Sequence, residues 1–131
     1  FSLRKGRLPW PTQGSMIHRF GSARISGQMN WSGAYIAAPM GNSVVAVHHG
    51  RVVFADYFGG HGLLVIVDHG EGYLSLYAHN QNLLKKAGEP VKAGETIATV
   101  GNSGGQASTG LYFEIRHNGK PIDPGGWLAR G

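Results

Sequence analysis

Tyr112, Glu114 and Arg116 stand at every second position of the run Leu111–Arg116. Residues two apart on a strand share a face, so a phenol, a carboxylate and a guanidinium would line up in a row. Such a row can pass hydrogen bonds along itself and offer a cation to a partner. Two readings stand: an exposed sheet face with a surface ion pair that contributes little, or the floor of a groove. The alternate set, Leu111, Phe113 and Ile115, is a plain core face. The seven histidines are the other candidate chemistry. His48 and His49 are adjacent, and on a strand they would point to opposite faces and share no ion. His18, His61, His69 and His117 fall in different segments, without Glu-x-x-His or His-x-x-x-His spacing. A histidine metal site is therefore not expected. The chain has no cysteine, which excludes disulfides and thiolate sites. No cofactor is expected.

The segments that would position these groups are short. Glycine recurs 22 times, and turn signals such as Gly41-Asn42, Glu71-Gly72, Gly101-Asn102 and Asn118-Gly119 separate runs rich in valine, isoleucine, tyrosine and phenylalanine. This pattern predicts an all-β domain built from hairpins. The expected strands are Val44–Val47, Arg51–Tyr57, Leu63–Asp68, Leu74–His79, Thr96–Val100 and Leu111–Arg116, the last closed by a tight Asn118-Gly119 turn. Asn80–Lys86 reads as a short helical turn. The segments 21–30 and 101–110 read as polar, glycine-interrupted loops. Residues 1–9 read as a basic lead-in, ordered poorly, and 10–131 as the domain.

At 131 residues the chain is sized for one domain with its own core. The net charge is +5 and the pI about 9.8. That balance favours polyanions or an acidic protein partner. The basic residues are scattered, and Arg4, Lys5 and Arg7 form the densest group. No nucleic-acid ligand is expected. No apolar run approaches a membrane span, so no membrane insertion is expected. Phe1 opens directly into a polar, basic stretch with no visible signal peptide, and the chain reads as a fragment of a longer protein.

A set of segments in order carries a resemblance over Trp10 to Leu128. They include Trp10-Pro11, Gly33-Ala34-Tyr35-Ile36-Ala37-Ala38-Pro39, His69-Gly70, Leu76-Tyr77-Ala78-His79, Val91-Lys92-Ala93-Gly94 and Phe113-Glu114-Ile115-Arg116. Together they resemble the LytM/lysostaphin-like zinc endopeptidases. That family implies a glycine-rich antiparallel sheet of the duplicated hybrid motif type, with a cleft over the sheet. Its active members hold zinc through a His-x-Gly-x-Asp segment and the second histidine of His-x-His. Here the first segment reads Trp31-Ser32-Gly33-Ala34-Tyr35, and the last reads Gly110-Leu111-Tyr112. By this resemblance Trp31, Tyr35 and Tyr112 stand at the ligand positions and Gly110 at that of an assisting histidine, while His79 remains. Catalytic zinc needs three protein ligands and an open position for water. An indole has no lone pair to give and a neutral phenol is a poor ligand. The chain therefore reads as a degenerate metallopeptidase, not an enzyme.

The stretches Ser75-Leu76-Tyr77, Gly104-Gly105-Gln106, Leu111–Arg116 and Trp127-Leu128 further resemble the EnvC-type murein hydrolase activators, with the NlpD-type group as the near alternative. This resemblance implies a periplasmic, non-catalytic domain of a Gram-negative coiled-coil protein. Such a domain binds and activates a zinc-dependent N-acetylmuramoyl-L-alanine amidase in cell separation. It also implies regulation by the FtsEX complex through an N-terminal region. The implied partner groove has Tyr112, Glu114 and Arg116 as its floor, with Trp31, Ser32 and Tyr35 on one side and His61, Leu64 and His79 on the other. A peptidoglycan-binding module using the aromatic cleft is the alternative.

Overall fold

The computed structural model describes residues 1–25 and 29–129. Twelve strands follow in chain order: β1 (Ser15–His18), β2 (Ala23–Ile25), β3 (Met29–Asn30), β4 (Ala34–Ala37), β5 (Ser43–Val45) and β6 (Gly50–Tyr57), then β7 (Leu63–Gly70), β8 (Tyr73–Leu83), β9 (Pro90–Val91), β10 (Thr96–Val100), β11 (Gly110–His117) and β12 (Lys120–Ile122). Ten of them form one antiparallel sheet, with the path β1-β4-β11-β8-β7-β6-β9; β10 joins β5 and β8, and β12 pairs with β11. The expected all-β class is what forms. Its hairpins are closed where two consecutive residues take positive φ, at Glu71-Gly72 (54° and 83°) and Asn118-Gly119 (52° and 82°). That geometry matches the right-handed twist of the flanking strands.

Period-two alternation sorts β11 onto two cores. Leu111, Phe113 and Ile115 are fully buried with Val44, Val65, Val67, Tyr77 and Ile97 in the main core. Tyr112 faces a smaller cluster with Tyr35, Leu64, Leu76 and Ala78. Both faces of β11 are therefore covered, and the exposed-face reading of Tyr112 and Glu114 is wrong: they are 4% and 2% exposed.

Five other expectations differ, the first being that the strand expected over Val44–Val47 ends at Val45. Asn80–Lys86 is not a helical turn, because β8 runs on to Leu83. At His79, which holds φ 68°, the strand turns and passes to β10, pairing Asn80 with Val100 and Leu83 with Ala98. That pairing satisfies the backbone and overrides a weak local helical preference. The expected loop 21–30 carries the antiparallel pair β2–β3; its residues 26–28 lie outside the described ones. His48 and His49 sit in a bend between β5 and β6, with ring centroids 4.0 Å apart, not on opposite faces.

The lead-in is also ordered against the domain. Leu8 is 1% exposed and bridges Leu128, and the amides of Gly6 and Leu8 both donate to the Trp127 carbonyl. Phe1 lies within 4.7–5.6 Å of the rings of His69, Tyr73, Trp127 and His48. Two apolar anchors in an otherwise basic segment are enough to bind it down.

Under Phe1 lies a buried polar chain. The Nδ1–H of His69 donates to the His49 carbonyl at 2.9 Å, and its Nε2 lies 2.7 Å from Ser75 Oγ, which is 2.8 Å from Tyr77 Oη. Burial pushes the His69 pKa down from 6.5 to about 4 and that of His48 likewise, with His49 and Arg4 adding to the latter. The folded chain thus keeps both imidazoles neutral where the unfolded chain protonates them. Between pH 6.5 and about 4 the unfolded state binds more protons, so stability falls as the pH drops through that window and is level above it. Urea unfolding across this range should lose up to about 3 kcal/mol per imidazole. The loss should shrink in His69→Gln, and an unchanged pH profile in that variant would contradict this account.

Candidate functional site

Strand register builds the site in rows. Tyr35 of β4, Tyr112 of β11 and Ala78 of β8 are cross-strand partners in one row. The next row runs Glu114, Leu76, Ile66 and Phe54 across β11, β8, β7 and β6. Arg116 and Leu74 begin a third. Cross-strand neighbours on one face are close enough to pack, so each row is a line of contact.

The first row is filled. Trp31 leans over it, its ring 6.2 Å from Tyr35 and 5.9 Å from Tyr112, and His18 stacks on Trp31 at 4.5 Å. The three positions that the family resemblance marks as ligands do converge, and aromatic rings occupy the space between them. Tyr35 is 3% exposed. Its hydroxyl donates to the Ser108 carbonyl at 3.3 Å. It also lies where a side chain at Gly110 would go: a Cβ there would be 2.5 Å from Tyr35 Oη and 2.7 Å from the Ile36 carbonyl oxygen. Tyr35 and Gly110, which the family resemblance places at a ligand and a histidine position, are thus one steric arrangement.

Glu114 ties the first row to the third. Its Oε2 accepts from the Tyr112 hydroxyl at 2.5 Å, and its Oε1 accepts from Arg116 Nε–H at 2.7 Å. Arg116 is about one third exposed while Glu114 is enclosed. The buried carboxylate is paired and hydrogen-bonded on both oxygens, which is what makes its burial tolerable.

These residues do not fit a zinc ion. Two phenols and an indole stand at the three positions, one phenol is committed to Glu114, and among the described residues no group of three His, Cys, Asp or Glu side chains is placed to hold a metal ion. His79 is buried at 4% with its ring 6.3 Å from that of Tyr112. Its Nδ1–H donates to the Ser103 carbonyl at 2.9 Å, fastening the 101–110 loop to β8. Ser103 completes the fastening, accepting from the Leu63 amide and donating to the Asn80 carbonyl.

Beside the filled row lies an open groove of about 240 Å³. Leu64, Ile66, Leu76 and Phe54 line its base, Phe58 and His61 one rim, and Arg116 one end. Phe58 is 55% exposed, an unusual condition for a phenylalanine, and packs edge-on against Phe54 at 5.8 Å.

Of the residues read from sequence, His61, Leu64 and Arg116 line this groove, and Glu114 stands directly behind Leu76 in its row. Trp31, Tyr35, Tyr112 and His79 belong to the filled row beside it, and Ser32 is exposed next to Trp31. Phe54, Phe58, Ile66 and Leu76 are groove residues that the sequence reading did not name. The signal was present in the alternation of Leu64 with Ile66. Two register shifts, at Val52/Phe54 and Leu63/Val65, set which residues of β6, β7 and β8 meet.

The model of Peptidase family M23 matches residues 29–124. The chain is 45% identical over 126 residues to murein hydrolase activator EnvC of Escherichia coli, covering 96% of this chain and 30% of that protein. It is 42% identical over 116 residues to murein hydrolase activator NlpD of the same organism, covering 88% and 29%. Among solved structures, Helicobacter pylori Csd3 superposes with a TM-score of 0.81 at 28% identity, covering 95% of this chain and 33% of that one. The chain thus spans about 30% of the length of these curated relatives.

Proposed function

This chain belongs to peptidase family M23, and from that premise we propose that it is a non-catalytic domain that binds and activates a cell-wall hydrolase, specifically a zinc-dependent N-acetylmuramoyl-L-alanine amidase, in the periplasm of a Gram-negative bacterium during cell separation. The observation that carries the reading is the pair of features side by side: ligand positions packed with Trp31, Tyr35 and Tyr112, and an apolar groove ending at Arg116. The scaffold of a peptidase is kept while the residues that would hold its ion are replaced. Relatives named murein hydrolase activators support the same reading.

In the proposed mode an apolar segment of the amidase lies in the groove, presenting side chains to Phe54, Phe58 and Leu64. Arg116 offers guanidinium donors to a carboxylate or to the carbonyls at a helix C-terminus. Binding the displaced segment draws the amidase from a closed to an open state, because the domain has affinity for only one of them. A longer chain would place FtsEX-linked regulation outside this domain.

The test is dye release from labelled murein by a purified amidase with and without the domain. The wild-type domain should stimulate release and show none alone. Phe58→Ala should lower stimulation by roughly tenfold or more, the effect of removing one well-seated anchor, while leaving the circular dichroism spectrum unchanged, and Arg116→Lys, which keeps the charge beside Glu114 but loses the planar fork, should lower it by less. Chelator-sensitive digestion by the domain alone would overturn the proposal. The second reading, a peptidoglycan-binding module, rests on the ring cluster around Trp31 and the net charge of +5. Retention on purified sacculi that exceeds capture by the amidase, and that is lost in Arg116→Glu, would favour it.

A further inference from the structure

A second cavity lies on the other side of the sheet. Its volume is about 290 Å³, and Arg4, Arg7, His48 and His49 line it together with Leu8 and Val47. Leu8 and Val47 belong to the main core that Leu111, Phe113 and Ile115 face, whereas the groove residues Leu64 and Leu76 belong to the smaller one. The two sites therefore share no lining.

Among the described residues no acidic side chain lines this cavity. Among the described residues the ion pairs are Lys85 with Glu95 and Arg116 with Glu114, so neither Arg4 nor Arg7 has a carboxylate partner. The acid of the adjoining Lys92–Glu95 turn is already engaged, since Glu95 accepts from the Lys92 amide and pairs with Lys85. Lys5, between the two arginines, is turned away over the Trp127 ring at 5.7 Å. The backbone holds the arginines together: Ser2–Arg4 forms a 3-10 turn, and the Arg7 amide donates to the Arg4 carbonyl at 2.8 Å.

Two exposed arginines held on one turn, lining one cavity with an imidazole pair and with the exposed apolar wall of Pro9 and Ala93, make a receptor for a carboxylate on a small apolar body. We propose that this cavity binds the terminal carboxylate of a short peptide, with Arg4 and Arg7 gripping the carboxylate and the exposed Pro9 and Ala93 accepting a methyl-sized side chain. Paired planar donors match a carboxylate in two-point fashion. A bare inorganic anion would satisfy the arginines and leave the apolar wall and much of the volume unused.

The probe is N-acetyl-alanyl-alanine, titrated into the isotope-labelled chain and followed by amide NMR shifts. Its C-terminal amide and inorganic phosphate serve as the comparison ligands. Saturable shifts are expected at Val47, His48 and His49 and across Arg4–Leu8. Binding of the amide should be at least about tenfold weaker, the loss of one charge-assisted contact. An Arg4→Ala/Arg7→Ala chain should keep its fold, shown by an unchanged spectrum at β7, β8 and β11, and lose the response. The proposal is overturned by an absence of shifts at these amides, by equal binding of acid and amide, or by the same response in the doubly substituted chain. Phosphate acting as strongly as the peptide would mark an adventitious ion only, and would also overturn it. None of these outcomes bears on amidase activation, which depends on the other site.

Discussion

Replacing Gly110 with alanine is expected to destabilise the domain by about 3 kcal/mol, the upper range for forcing extra volume into a closed site. The added carbon would lie 2.5 Å from the Tyr35 hydroxyl and 2.7 Å from the Ile36 carbonyl oxygen. The hydroxyl sits on a buried ring and the carbonyl on a paired strand, so neither yields cheaply. Tyr35→Ala should relieve the first clash and leave the second, so the double substitution should be less destructive than the sum of the two singles. Urea midpoints of the four chains check this as a double-mutant cycle. Additive effects would show that Tyr35 and Gly110 do not compete for the same space.

Glu114→Ala is expected to cost a similar amount, about 3 kcal/mol, from a different cause. The buried hydroxyl of Tyr112 loses its acceptor and Arg116 its counter-ion, and an unsatisfied buried group costs roughly 1–3 kcal/mol before any cavity is counted. Tyr112→Phe alone should cost about 1–3 kcal/mol, since it leaves Glu114 Oε2 buried without that donor. In the combined Glu114→Ala/Tyr112→Phe chain the coupling should recover about 1 kcal/mol. Thermal or urea unfolding measures it, and an uncoupled pair would mean that the hydroxyl–carboxylate contact contributes nothing to stability.

Much of the fold was legible before any coordinates. The runs Arg51–Tyr57, Leu63–Asp68, Thr96–Val100 and Leu111–Arg116 lie within β6, β7, β10 and β11, because alternation and turn residues encode strands directly. Asn118-Gly119 closed the hairpin for the same reason. The continuation of β8 past His79 was not legible: a histidine at φ 68° looks like any other histidine in the sequence, and the helical preference of Asn80–Lys86 is overruled only by β10, some fifteen residues later. The packing of residues 1–9 escaped because two apolar residues among charges give no periodic pattern.

The candidate site divides along the same line. That Tyr112, Glu114 and Arg116 share a face follows from period two. That the first two are enclosed depends on β4 and β8 flanking β11, which is a matter of strand order. Trp31, Tyr35 and Tyr112 were grouped by resemblance, and their rings do converge. The groove itself needed the register of three strands through two bulges, and Phe54, Phe58, Ile66 and Leu76 could not be assembled without it.

The Nε–H of Arg116 is held by a carboxylate that is itself anchored to Tyr112. A surface arginine ordinarily samples many rotamers and must surrender them on association, a loss of about 0.5–1.5 kcal/mol per immobilised side chain. Here that loss is taken during folding, so the end of the groove is preorganised before any ligand arrives. Rigidity of this kind favours slow release over fast capture, and it makes the carboxylate behind the arginine, which a ligand need not touch, a determinant of how long the complex lasts.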